Sequence, residues 1–180
     1  MHISAPGTAE AWLPIPNDLG GLTTKKIMKW AQPTVRDLLP GRLFSPHPKQ
    51  MFLQTLLGSV AQISSPVEQY FVHLAELPDE VLMVRVRWAE AGPSLDERLE
   101  EFVGPGDSQD VTVGAPEPST IAPGVEGLRA PLERRGSSAG WVASFPVGDL
   151  AVQLRVEVPP EYLEDLQPDI ENLAQALRAA

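Results

Sequence analysis

The hydrophobic repeat of this chain switches from helical to strand-like at Val67, and that switch constrains its fold more than any other feature. Upstream, Ile27, Met28, Ala31, Val35, Leu38 and Leu39 gather on one side of a helical wheel, with Lys25, Lys26, Lys29 and Arg36 on the other. Downstream, "LAVQLRVEV" sets Leu150, Val152, Leu154, Val156 and Val158 against Ala151, Gln153, Arg155 and Glu157. Alternation that recurs through several segments calls for a sheet, and the helical segments must bury their apolar stripes on it. The expected architecture is α+β: an antiparallel sheet packed with helices, preceded by a helical N-terminal segment.

Residues 1–66 read as an arm and two helices, and residues 67–180 as the sheet domain, the two together forming one compact unit. The opening, rich in Pro and Gly, reads as an extended arm and a turn. A first helix begins at Thr24, kinks or restarts at Pro33, and ends at the "PG" of 40–41. A second runs from Pro48 to Ile63. Phe52, Leu53, Leu56, Leu57, Val60 and Ile63 share one arc of it, while Gln54, Thr55, Gly58, Ser59 and Gln62 occupy the opposite arc without a charge. A solvent-facing helix normally carries charged residues, so this arc is expected to lie against another element or another chain.

Beyond Val67, "QYFVHLAEL" and "VLMVRVRW" form an antiparallel hairpin with Arg85 and Arg87 pointing outward. Ser94 and Glu97 make a capping box for a helix over 95–103. The loop-rich stretch 104–124 contains one short strand, "DVTVG". Three strands follow, "GLRAPLERR", "GWVASFPV" and "LAVQLRVEV", and a closing helix carries Tyr162, Leu166, Ile170, Leu173 and Leu177 on one stripe, restarting near Pro168.

Charge is divided unevenly. The net charge is −10, yet all four lysines (Lys25, Lys26, Lys29 and Lys49) fall in the first fifty residues. A basic head on an acidic body either neutralises itself or meets an acidic partner. The overall sign disfavours a phosphate backbone, so no nucleic acid is expected. Without cysteine there is no disulfide, thiolate nucleophile or Cys-type metal site. The charge-free stretch 50–67 is too polar to span a membrane, and the N-terminus lacks the pattern of a signal peptide, which makes a cytoplasmic location the expectation.

No nucleotide-binding, zincin, hydrolase-elbow or calcium-loop motif occurs. "GPGDSQ" at 104–109 neither follows a strand nor opens a helix. His2, His47 and His73 are scattered, with His73 expected on the sheet surface, and no catalytic, cofactor or metal residue is assigned. Arg85, Arg87 and Arg155 share one outward parity on neighbouring strands. They read either as a solvated face with cross-strand ion pairs or as a positive stripe that receives a carboxylate-rich peptide.

The segments "VEQYFVHLAELPDEVLMVRVRW", "SLDERLEEF", "DVTVG" and "GWVASFPVGDLAVQLRVEV", with the helix to Ala180, give an order of elements that resembles the PsbP-like superfamily. The resemblance implies a non-catalytic binding protein, adaptor or chaperone.

These features favour a protein-binding adaptor or chaperone, secretion chaperones included, whose partner is another protein or a second copy of the chain. The candidate contacts are Gln54, Thr55, Gly58, Ser59 and Gln62, with Lys25, Lys26 and Lys29, and with Arg85, Arg87 and Arg155. No cofactor is expected. Two alternatives remain: an immunity-type protein that neutralises a basic toxin, and an enzyme of unrecognised class. A pocket that brings His47 or His73 against carboxylates favours the enzyme.

Overall fold

Strands, not helices, open the chain. The computed structural model describes residues 3–39, 48–74, 81–92, 94–103 and 110–179. In it β1 (Ile3–Ser4) and β2 (Trp12–Pro14) precede α1 (Thr24–Leu38) and α2 (Pro48–Ile63). The expected helical N-terminal segment is therefore corrected. The arm is part of the sheet: β2 pairs antiparallel with β3 (Glu68–His73), setting Trp12 opposite His73. Trp12 and Ile15 are both buried, and a three-residue strand that ends on Pro14 is too short to display alternation in sequence.

The hairpin of β3 and β4 (Met83–Glu90) leads to α3 (Leu95–Val103), where Glu97 N–H donates to Ser94 Oγ at 3.3 Å. Then come β5 (Val111–Val113), β6 (Glu117–Ala122), β7 (Val125–Arg134), β8 (Ser137–Val147), β9 (Leu150–Val156), α4 (Pro160–Ala176) and β10 (Arg178–Ala179). The main sheet runs β2-β3-β4-β9-β8-β7-β5, with β6 also on β7, and β1 pairs with β10 apart from it. β6 falls in the stretch that reads as loop. As a strand bonded to β7 alone it tolerates Pro118, which cannot donate to a ladder. Neither Pro33 nor Pro168 restarts its helix; each lies within a single continuous one.

Both faces of the sheet are covered. Phe71, Val84, Val86, Trp88, Phe145, Val152, Leu154 and Val156 pack against Leu166, Ile170 and Leu173 of α4 in the main core. On the opposite face, Val72 joins Ile27 and Val35 of α1 and Leu53, Leu57 and Val60 of α2. α3 covers the other end of that face, with Val103 against Ala130, Leu132 and Val142. β9 is consequently buried along its whole length. The alternation in "LAVQLRVEV" identifies the strand correctly, but its polar positions face protein rather than water.

β7 and β8 meet through an irregular register, with Leu132 opposite Gly140 and Glu133 opposite Ser138. Gly140 takes φ +116°, and a Cβ there would lie 2.0 Å from Val156 O. Both the backbone and the close approach demand glycine. Gly140→Ala is expected to destabilise the fold by at least about 2 kcal/mol, read as a lowered urea midpoint.

Candidate functional site

Three regions carry chemistry. The first is the outer side of α1 and α2. Lys25, Lys26, Lys29 and Arg36 are exposed on α1, as its amphipathic pattern requires. On α2 the exposed arc differs from expectation. Thr55, Ser59 and Gln62 are exposed and Gln54 is half-buried, but Gly58 is buried at the crossing with α1, where a Cβ would come 3.3 Å from Met28 Sδ. The arc is completed instead by apolar side chains: Met51, Phe52 and Ile63 are 56%, 60% and 65% exposed, and Val67 just beyond is 49% exposed. These four are the exposed large hydrophobic residues among the described residues. Helical periodicity alone places Phe52 and Ile63 with the core, because they sit at the edge of the apolar arc. Which edge is buried depends on where α1 docks.

The second region lies on the sheet face between the α1–α2 pair and α3. Pairing sets Tyr70 opposite Arg85, Arg85 opposite Arg155, and Arg155 opposite Val142, so two guanidinium-bearing residues are direct neighbours. The adjacent row is Glu68, Arg87, Gln153 and Ser144. Under α3, Ser144 Oγ donates to Leu99 O at 2.6 Å and Gln153 Nε2 donates to Phe102 O, one of the carbonyls a helix end leaves without an internal partner. Glu68 lies 3.7 Å from Arg85 and 3.6 Å from Arg87, while Glu157 holds Arg155 Nε and, at 2.8 Å, Arg134 Nη2.

Arg155 is only 4% exposed, and its Nη2 has no hydrogen-bond partner, nor has the buried Nε of Arg85. A cavity of about 330 Å³ opens here, lined by Arg85, Arg134, Arg155, Glu157, Tyr70 and Met83, among others. Burial, reinforced by Glu68, pushes the Tyr70 phenol above its usual range. Outward parity brings Arg85, Arg87 and Arg155 together in the sequence reading. Arg134 and Tyr70 are missed, because Arg134 ends a poorly alternating segment and Tyr70 shares its strand face with Val72 and Leu74.

The third region corrects the reading of His73 as a surface residue. It is buried on the α4 face, edge-on to the Trp12 ring at 4.9 Å, and its Nε2 lies 2.8 Å from Asp169 Oδ2. Trp12 Nε1 donates to the Asp169 backbone carbonyl at 3.1 Å. An open cleft of about 580 Å³ adjoins the pair, with Glu10, Asn172 and Arg178 on its walls. His73 Nδ1 is buried without a partner. In a relay the nitrogen distal to the carboxylate faces a nucleophile or substrate; among the described residues none bonds this one. No sequence signal distinguishes Asp169 from the other acids of α4.

His2, His47 and "GPGDSQ" lie outside the described residues. Among the described residues no His, Asp and Glu group has the form of a metal site, and no helix is long and apolar enough to cross a membrane. No protein-family model, curated protein or solved structure matches the chain.

Asp169→Ala leaves both nitrogens of a buried imidazole unpaired. A loss of about 1–3 kcal/mol in chemical denaturation is expected, with Asp169→Asn costing less because its amide oxygen still accepts.

Proposed function

We propose that this protein is a non-catalytic binding module that docks an acidic protein surface on the outer side of α1 and α2, as an adaptor or chaperone does. The observation that carries the reading is the arc of α2: every exposed large hydrophobic residue among the described residues falls on it or just after it. Scattered apolar residues on a surface need no explanation, whereas an uncharged arc ending in Phe52 and Ile63 is the composition of an interface centre. Charge complementarity selects the partner. Lys49 lies in the first turn of α2, and Lys25, Lys26 and Lys29 lie on the helix that crosses it, so the apolar arc has a basic border. The order of elements from β3 to α4, on which the resemblance to the PsbP-like superfamily rests, supports the same class of function by analogy.

An enzyme is the second reading, favoured by the cleft beside His73 and Asp169. In that case Asp169→Asn abolishes turnover while leaving the surface of α2 unaffected.

The test is recovery of partners from the native cell by the full chain and by a Phe52→Asp, Ile63→Asp variant. Wild type is expected to retain an acidic protein in a salt-sensitive manner. The variant is expected to lose it by tenfold or more, since an aromatic anchor is worth about 2 kcal/mol or more. Reversal of Lys25, Lys26 and Lys29 to Glu is expected to weaken it further. Identical recovery by both proteins overturns the proposal, and light scattering that shows a dimer dispersed by the same variant replaces the acidic partner with a second copy.

A further inference from the structure

We infer that the cavity over β4 and β9 is a binding site for an organic carboxylate with a short apolar body, held by Arg85, Arg155 and Arg134. The inference stands independently of the surface on α2. It rests first on charge. Among the described residues, three guanidiniums line the cavity against the one carboxylate of Glu157, and the nearby Glu68 divides its charge between Arg85 and Arg87. Among these described side chains positive charge is therefore in surplus, in a chain whose net charge is −10. Like charges set directly opposite on adjacent strands destabilise a sheet unless an anion offsets them, and Arg85 and Arg155 are such a pair.

It rests second on donors without acceptors. Arg155 is more than nine-tenths buried with Nη2 unpartnered, and Arg85 Nε is likewise buried and unpartnered. An arginine carries five N–H donors and no acceptor, so the missing partners must be acceptors. A guanidinium pair matches a carboxylate through paired N–H···O bonds. It rests third on the walls. Beside the arginines the lining includes Val81, Met83 and the ring of Tyr70, which suit an apolar body. A volume of about 330 Å³ admits a small molecule or a single side chain. A free acid and an acidic side chain of a docked protein offer the same group.

Thermal denaturation of the full chain at matched ionic strength tests this, with benzoate, hexanoate, inorganic phosphate and a short glutamate-containing peptide as probes. Benzoate or hexanoate is expected to raise the melting temperature saturably, and Arg85→Gln to weaken its binding tenfold or more. Arg134→Gln, at the exposed rim, is expected to weaken it severalfold. Saturable binding of the peptide alone assigns the carboxylate to a protein partner instead of a free acid. Arg155→Gln probes the buried guanidinium, and should it fail to fold, the Arg85 and Arg134 variants decide. No saturable shift with any carboxylate, equal binding by wild type and Arg85→Gln, or a preference for phosphate overturns the inference.

Discussion

A central sheet with helices packed on both faces, open on one of them between the α1–α2 pair and α3, sets the terms for everything else in this molecule. α4 covers one side; the α1–α2 pair and α3 share the other. Where both faces are covered, each polar side chain on the inner strands must find its partner within the protein, because a buried polar group without a hydrogen bond costs about 1–3 kcal/mol. Ser144 meets this demand at a carbonyl of α3, while Gln153 meets half of it there through Nε2, its Oε1 staying unpartnered, and His73 meets half of it at Asp169. The arginines meet it incompletely.

The incompleteness is a matter of magnitude. Two unit charges about 4 Å apart interact by about 4 kcal/mol where the effective dielectric constant is about 20, while an exposed ion pair returns about 0–1 kcal/mol. Neighbouring guanidinium residues inside a covered sheet thus need close, shared carboxylates, which Glu157 supplies to Arg155 and Arg134 and Glu68 supplies at longer range to Arg85 and Arg87. The surface on α2 follows a different logic. Its cost is apolar area left in water, which association removes. One region is organised around charge on the sheet, the other around hydration on the outer side of the helices.

The element types were largely legible from periodicity. α2 and α3 occupy the predicted residues, and the hairpin, the later strands and the closing helix are all present. Three kinds of feature were not legible. β1, β2 and β10 are too short to show a period, and β6 hides within Pro- and Gly-rich composition that an edge strand tolerates. Glycines such as Gly58, read as part of an exposed arc, serve instead where two helices approach closely. The grouping of Arg85 with Arg155 was legible from parity. Their burial, and the company of Arg134, Tyr70 and Glu68, required strand order and the position of α3.

By itself the sequence determined the four helices and the longer strands, because hydrophobic spacing acts over a few neighbouring residues. It also determined that the lysines gather at one end and that no cysteine chemistry is available. Tertiary structure alone decided which faces meet water. That choice joins residues far apart in the chain, such as His73 with Asp169 and Gln153 with Phe102, and the free energy that settles it belongs to the packed layers rather than to any local pattern.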